Sequence, residues 1–313
     1  MRANSDLMLT FARNNQVVFL QNYRSMEMMK KPEWLKKKIN YQSMREMGDM
    51  LRSFNLHTVC EDARCPNIGE CFLSRTATFM ILGDICTRNC RFCAIPDGIP
   101  AGIDPAEPKN LAQAAKELGL AHVVITSVTR DDLADGGASQ FAACIHELRK
   151  VIPKSSIEIL IPDFEANQVA LNVVIGAKPE IINHNVETVP SLYPIARPMA
   201  DYRRSLDVLH YIKQKDNDIY TKSGVMLGFG EAEDEVFALF DDLLEVDCDM
   251  LTIGQYLPPS RNHAQLKEYV SPEVFDHYKQ VALKKGFRYV ASGPYIRSSF
   301  NAIEGIKKVK DTQ

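Results

Sequence analysis

The stretch ATFMILGDICTRNCRFC, residues 77–93, decides the fold of this 313-residue chain. Residues 78–82 are a short run without polar alternation, which predicts a strand covered on both faces. Three cysteines follow the strand at C-x3-C-x2-C spacing: Cys86, Cys90 and Cys93. In parallel β/α folds the chemistry lies at the carboxyl ends of the strands, so these thiols are expected at a functional site.

A second trio lies upstream at C-x4-C-x5-C spacing, with Cys60, Cys65 and Cys71, so that six of the eight cysteines fall between residues 60 and 93. The chain is too long for a disulfide-stapled mini-protein and opens without a secretory apolar segment. Both features favour a cytoplasmic, reduced chain whose clustered thiols bind metal or act in catalysis. Structural zinc usually takes four paired ligands, so two unequal trios suit [4Fe–4S] cubes better, with zinc as the alternative.

From residue 77 onward, short apolar runs alternate with helical patterns. We predict strands at residues 78–82, 122–127, 157–161, 181–183, 223–227, 250–253 and 288–291. We predict helices at residues 109–118, 139–151, 166–175, 202–214, 233–244 and 272–285. The alternation indicates an α/β fold with a parallel sheet, and the number of units favours a partial β/α, TIM-like barrel. Polar clusters follow most of these strands and are expected at one mouth of the barrel.

The overall composition excludes several classes of partner. The chain is 45% hydrophobic and 25% charged, which is ordinary for a globular protein. A net charge of −3 gives no strong field for nucleic acid. The longest apolar runs are far shorter than the roughly 20 residues that span a bilayer. We therefore expect neither nucleic acid nor a membrane as a partner.

The trio Cys86, Cys90 and Cys93, with Phe92 before its last cysteine, resembles the signature of radical S-adenosylmethionine (SAM) enzymes. The segment HTVCEDARCPNIGEC at residues 57–71 resembles the lipoyl synthase family in that superfamily. Other matching segments are SVTRDDL at 127–133, NHNVETV at 183–189, TKSG at 221–224 and RSS at 297–299. The resemblance implies a radical SAM barrel at residues 77–300, an auxiliary-cluster segment at 41–76, an N-terminal extension at 1–40 and a C-terminal tail at 301–313.

Two [4Fe–4S] clusters and SAM are the cofactors that the resemblance implies. One cluster, held by Cys86, Cys90 and Cys93, would leave an open iron for SAM to chelate. Electron transfer into SAM would then release methionine and a 5′-deoxyadenosyl radical.

The same resemblance implies an auxiliary cluster that is consumed as the sulfur source. Its thiolate ligands would be Cys60, Cys65 and Cys71. Its fourth ligand would be Ser299, with Ser298 as the alternative. From the residues alone, local capping is the commoner role for serines at a strand end. The family pattern has a tyrosine after the serine pair, whereas this chain has Phe300, which keeps the ring and lacks the hydroxyl.

The NHNVETV segment also resembles a segment of biotin synthase that contacts SAM. It implies that Asn185 and Glu187 bind the ribose hydroxyls and that Arg197 pairs with the SAM carboxylate. The alternative is a surface ion pair between Glu187 and Arg197, which would be worth little. For His184 we expect a structural hydrogen bond.

The substrate that the resemblance implies is an octanoyl chain on a lysine of a lipoyl carrier domain or of the H protein. Two sulfur atoms would enter at unactivated carbons. Further implied partners are a low-potential electron donor of the ferredoxin or flavodoxin type and an iron–sulfur carrier that rebuilds the spent cluster. The basic residues 30–38 either dock an acidic carrier domain or form a solvated face.

Overall fold

The computed structural model describes residues 30–36, 41–58, 65, 67, 78–299, 304–305 and 308. The predicted ligands Cys60 and Cys71, and Phe300, lie outside the described residues. The chain divides into two compact units, residues 1–36 and residues 37–313. In the first unit a 3-10 turn spans Glu33–Leu35, and Lys36 pairs with Glu33.

The second unit alternates strands and helices along the chain. Its strands are β1 (His57–Thr58), β2 (Thr78–Ile81), β3 (His122–Ser127), β4 (Ser156–Leu160), β5 (Ile181–Asn183), β6 (Tyr220–Leu227), β7 (Met250–Gln255) and β8 (Tyr289–Gly293). Its helices are α1 (Tyr41–Ser53), α2 (Glu107–Glu117), α3 (Ala138–Val151), α4 (Gln168–Gly176), α5 (Tyr193–Ala196), α6 (Tyr202–Lys215), α7 (Glu233–Glu245) and α8 (Pro272–Lys285).

The strands form one sheet in sequence order, with β1 and β8 at its two edges. Each strand from β2 to β8 runs parallel to the next, and β1 pairs antiparallel with β2. The predicted partial β/α barrel is therefore confirmed. Because seven strands are parallel, their carboxyl ends meet at one edge of the sheet, which we call the mouth.

The predicted strands and helices are all present, with small differences at their ends. β6 starts at Tyr220, three residues before its predicted start, because the polar residues Thr221 and Lys222 interrupt its apolar pattern while lying fully buried. Three of the elements were not predicted: α1, the short strand β1 and the short helix α5. No helix in the described part of the chain is long and apolar enough to cross a membrane.

The curvature of the sheet is visible in one buried ion pair. Lys222 of β6 donates to Oε1 of Glu158 of β4 at 2.8 Å, and both side chains are almost fully buried. Because β5 lies between these strands, the two side chains meet across the concave side of the sheet. Burial acts to raise the pKa of Glu158, yet that pKa is lowered because Lys222 and His122 attract its carboxylate.

Candidate active site

The loop that carries Cys86, Cys90 and Cys93 is held at the mouth by backbone hydrogen bonds to three other segments. Thr87 N donates to Thr129 O at 3.0 Å, directly after β3. Arg91 N donates to Ala196 O at 2.9 Å, at the end of α5. Arg91 O accepts from Ala264 N at 2.7 Å, in the segment after β7. The loop is thus fixed by segments that follow three different strands of the barrel.

The environment of the three thiols fits an iron–sulfur cluster. Cys86 Sγ accepts backbone N–H groups of Arg88 at 3.4 Å and Thr129 at 3.3 Å. Burial raises the pKa of the Cys90 thiol, and it raises the pKa of Cys93 to about 12. Thiols in such surroundings become thiolate ligands when a metal supplies the compensating positive charge.

The described residues contain no group of three His, Cys, Asp or Glu side chains that converges on a single ion. This is compatible with a [4Fe–4S] cube, because each thiolate of a cube binds a different iron.

Arg88, between the first two cysteines, joins the loop to two aspartates. Its Nε and Nη2 donate to the carboxylate of Asp131 at 2.7 and 2.8 Å. Its Nη1 and Nη2 donate to the carboxylate of Asp163 at 2.9 and 2.7 Å. Burial opposes the charge on Arg88, but these two carboxylates hold its pKa above the ordinary value. Asp131 follows β3 and Asp163 follows β4, so Arg88 attaches the cysteine loop to both strand ends.

The three residues predicted to bind SAM lie together after β5. Asn185 Nδ2 donates to Glu187 Oε1 at 3.1 Å, and Arg197 Nη1 donates to Asn185 O at 2.9 Å. Glu187 and Arg197 are both described and form no ion pair, and Arg197 is only 9% exposed, so the surface-pair alternative is not present. Ala196, directly before Arg197, accepts Arg91 N at 2.9 Å, so this group lies beside the cysteine loop.

Unpartnered polar atoms in this group fit a polar ligand. Arg197 Nε and Asn185 Oδ1 are buried without a hydrogen-bond partner in the described structure. Buried polar groups are normally paired, so an unpaired guanidinium N–H and an unpaired amide oxygen in this group suit an anionic and hydroxyl-bearing molecule such as SAM. Burial raises the pKa of Glu187.

Glu187 has a backbone conformation that side chains rarely adopt, with φ of +67°. Its N–H donates to Gly224 O at 2.9 Å, and its carbonyl accepts Met226 N at 2.8 Å. Two bonds to β6 therefore hold a strained residue in place, and strain of this kind is concentrated at functional sites.

The C-terminal RSS motif enters the same mouth. Asn185 Nδ2 donates to Ser298 Oγ at 2.7 Å. Two glycines make the approach possible. A Cβ at Gly254 of β7 would lie 2.2 Å from Ile296 O. One at Gly224 of β6 would lie 2.7 Å from Thr252 Oγ1, 2.8 Å from Asn185 Oδ1 and 3.1 Å from Ser298 Oγ. The missing side chains leave the space that residues 296–298 occupy.

The described residues of the upstream trio segment lie next to the same C-terminal stretch. Asn67 Nδ2 donates to Tyr295 O at 2.6 Å. Burial lowers the pKa of Arg297, and the charge of Cys65 opposes that shift, so Arg297 and Cys65 are neighbours. Cys65 is thus close to the RSS motif, whose serine was predicted to be its co-ligand.

The sequence did not predict the contacts of Arg88 with the carboxylates of Asp131 and Asp163. Asp131 and Asp163 were noted only as members of polar clusters after strands. The available signal was an arginine between two cysteines of the C-x3-C-x2-C loop, with an acidic residue after each of two successive strands. His184, as expected, has a structural role: its Nδ1 lies 2.9 Å from Ile161 O.

Comparison with known proteins identifies the superfamily of this chain. Residues 80–243 match the model of the radical SAM superfamily. Among solved structures the fold is similar to HydG, a maturase of the [FeFe]-hydrogenase, with a TM-score of 0.57 and 13% identity over 88% of this chain and 61% of that one. It is also similar to Streptococcus suis SuiB bound to its precursor peptide SuiA, with a TM-score of 0.54 and 13% identity over 91% and 61% of the two chains. The fold and the cysteine loop are those of a radical SAM enzyme.

Residues 10–65 match the N-terminal domain of lipoyl synthase. The chain is 55% identical to lipoyl synthase of Caldanaerobacter subterraneus, over 89% of this chain and 98% of that protein. It is 54% identical to lipoyl synthase of Alkaliphilus metalliredigens, over 90% and 98%. The chain belongs to the lipoyl synthase family. It is accordingly a sulfurtransferase that uses SAM and two [4Fe–4S] clusters and acts on an octanoylated carrier.

Proposed function

We propose that separate groups of residues hold the two clusters and SAM during the insertion of two sulfur atoms into an octanoyl group. Cys86, Cys90 and Cys93 hold the SAM cluster, and Asn185, Glu187 and Arg197 bind SAM. The auxiliary cluster is held by Cys60, Cys65, Cys71 and Ser299.

The observation that supports this division most strongly is the hydrogen bond between Asn185 and Ser298, at 2.7 Å. It joins the proposed SAM-binding group to the motif proposed to ligate the auxiliary cluster. Sulfur insertion needs this arrangement, because the carbon that loses a hydrogen at the SAM side must lie within reach of the sulfur donor.

The choice of Ser299 over Ser298 follows from the same contact. The Ser298 hydroxyl already accepts from Asn185, whereas Ser299 is half-buried and directly follows it. Ser298 then orders the mouth, and Ser299 is left to ligate iron. A hydroxyl ligand is unusual among cysteine thiolates and suits a cluster that must open.

When bound, the SAM cluster supplies the electron that starts hydrogen abstraction, and the auxiliary cluster supplies sulfur. The residues of the chain orient and shield these groups. The N–H groups of Arg88 and Thr129 donate to Cys86 Sγ, and hydrogen bonds to a cluster sulfur tune its potential. Arg197 presents a buried positive charge to the SAM carboxylate.

Anaerobic reconstitution tests the division directly. The chain is supplied with dithionite, SAM and an octanoyl-lysyl peptide, and 5′-deoxyadenosine and lipoyl peptide are both measured. Replacing Cys60, Cys65 and Cys71 with Ala should leave deoxyadenosine release and abolish sulfur insertion. Replacing Cys86, Cys90 and Cys93 should abolish both.

Ser298→Ala and Ser299→Ala provide the matched pair for the serine assignment. Ser299→Ala should lower sulfur insertion and change the spectroscopic signature of the auxiliary cluster, while Ser298→Ala should leave that signature unchanged. The reverse pattern would assign the ligand to Ser298.

We further propose that the reaction takes place in the cytoplasm, with a lipoyl domain or the H protein as the octanoylated carrier. A low-potential ferredoxin or flavodoxin supplies the electrons, and an iron–sulfur carrier rebuilds the auxiliary cluster. The exposed residues Lys30 and Lys31 support an acidic carrier. Carrier preference is measured by comparing lipoyl formation on an octanoylated lipoyl domain and on octanoylated H protein.

A further inference from the structure

The outer side of the cysteine loop carries a surface that SAM binding does not explain. Arg91 lies between Cys90 and Cys93 and is exposed. Its backbone N–H donates to Ala196 O, and its carbonyl accepts Ala264 N. The segments around Ala196 and Ala264 therefore flank the loop and form one surface with it.

Two large apolar side chains are exposed on the first of these segments. Ile195 is 53% exposed and Met199 is 51% exposed, and the prolines beside them, Pro194 and Pro198, are exposed as well. Arg197, between them in the chain, is buried. The segment thus turns its arginine toward the site and its apolar side chains toward solvent, and an apolar patch of this kind marks a protein contact.

The same surface carries positive charge. Arg91, Arg203 and Arg261 are exposed, and no carboxylate pairs with any of them within the part of the chain that the structure describes. The exposed carboxylate among residues 194–203, Asp201, caps α6 by accepting Arg204 N at 2.7 Å. We call the set Arg91, Ile195, Met199, Arg203 and Arg261 the Arg91 face.

An apolar centre with unpaired arginines suits an acidic protein partner. The octanoylated carrier must deliver its acyl chain into the mouth, where Asn185 meets Ser298. The Arg91 face instead borders the cysteine loop, because the exposed Arg91 lies between Cys90 and Cys93 and bonds to the two flanking segments, and an electron donor has to approach this loop. Redox encounters use small, electrostatically steered interfaces, and this face has that character.

We propose that the Arg91 face docks the acidic one-electron carrier protein that reduces the SAM cluster. The donor loses one electron, the cluster gains it, and no bond to the chain forms or breaks. This inference rests on the function proposed above.

The experiment compares two electron sources for each variant. One is reduced flavodoxin, which must dock, and the other is dithionite, which need not. Arg203→Glu/Arg261→Glu and Met199→Glu are tested against the parent chain. We expect flavodoxin-driven deoxyadenosine release to fall about tenfold or more, because charge complementarity governs the association of such pairs. Dithionite-driven release should change less than about twofold, because the variants do not alter the electron-accepting site.

Binding supplies a readout that does not depend on turnover. Flavodoxin affinity, measured by titration calorimetry at low and high salt, should weaken in the variants and lose its salt dependence. Lys154→Glu is the matched control, because Lys154 is exposed before β4, at the end of the sheet opposite the mouth. It should behave as the parent chain does.

Three outcomes would overturn the proposal. Equal losses with both electron sources would show that these residues support the site itself. Unchanged rates and affinities with flavodoxin would show that the donor docks elsewhere. With dithionite as the electron source, a loss of activity on an octanoylated carrier protein but not on the octanoyl peptide would assign the face to docking of the carrier. If the parent chain releases no deoxyadenosine with dithionite, the proposed function fails instead.

Discussion

At the scale of single residues, Arg88 joins the cysteine loop to the barrel. Its guanidinium pairs with Asp131, which follows β3, and with Asp163, which follows β4. Lysine cannot replace it, because a single ammonium group cannot make paired bonds to two carboxylates at once.

Asp163→Asn should destabilise the chain by about 2 to 3 kcal/mol, since hydrogen bonds to a buried charge are among the stronger ones. It should also lower the iron retained by the SAM cluster after reconstitution. The measurements are urea unfolding and iron content. Asp132→Asn is the control, because Asp132 makes the same kind of paired contact to Arg130 but is 39% exposed in its side chain and does not touch the cysteine loop. That control should cost under about 1 kcal/mol and leave the iron content unchanged. Equal iron losses in both variants would contradict the anchoring role of Arg88.

The lowered pKa of His184 predicts that the free energy of unfolding depends on pH. Burial, followed by the charge of Arg197, lowers the pKa of His184 from 6.5 to about 4. His184 therefore binds a proton less readily in the folded state than in the unfolded state. The stability that this neutral ring contributes is present above pH 6.5 and is lost as the pH falls toward 4. The full effect of such a shift is about 3 kcal/mol.

His184→Asn removes this titration while keeping a donor for Ile161 O. The free energy of unfolding should then fall less steeply between pH 6.5 and 4 than it does in the parent chain, as measured by urea unfolding at several pH values. Parallel pH profiles for the two proteins would show that His184 does not titrate in this range.

At the scale of elements, β6 and β7 admit the C-terminal motif because each has a glycine where it passes. Gly254 is the tighter position, because a Cβ there would meet the backbone carbonyl of Ile296, which cannot move independently of its chain.

Gly254→Ala should displace residues 296–298 and lower sulfur insertion at least about tenfold, in line with the loss expected when reacting groups are misplaced by about 1 Å. Deoxyadenosine release should fall less, because the cysteine loop is held by other segments. The two products are measured together. Gly176→Ala, at the end of α4 with open space around its Cβ position, is the matched control and should keep both activities. Equal losses of both products in Gly254→Ala would place the motif in SAM cleavage instead.

At the scale of the whole molecule, the barrel encloses charge as well as apolar side chains. Lys222 and Glu158 come from strands that are not neighbours, so their bond spans the concave side of the sheet. An intact buried ion pair adds little net stability. Removing one partner is nevertheless strongly destabilising, because the remaining charge is left buried without compensation.

Lys222→Met should therefore destabilise the chain by about 3 to 5 kcal/mol. The double variant Lys222→Met/Glu158→Leu should recover most of that loss, because neither charge is left alone. Thermal and urea unfolding of the parent, the single variant and the double variant give the comparison. A double variant as unstable as the single one would show that the pair itself stabilises the barrel.

The amino-acid sequence was enough to predict the order of most strands and helices, and it proposes which cysteines are thiolate ligands. Both signals are local: hydrophobic periodicity reports on neighbouring residues, and the C-x3-C-x2-C loop carries its ligands within eight positions. The start of β6 was harder to place, because Lys222 is a buried charged residue whose partner lies on another strand.

Only the tertiary structure decided which loops meet. Asn185 and Ser298 are 113 residues apart, and Arg88 meets carboxylates 43 and 75 residues away. Such contacts depend on how far the sheet curves and on where two glycines leave room, and neither property has a signal within a short window of sequence. The residues that carry the chemistry could be read along the chain, whereas their assembly into one mouth followed from the barrel.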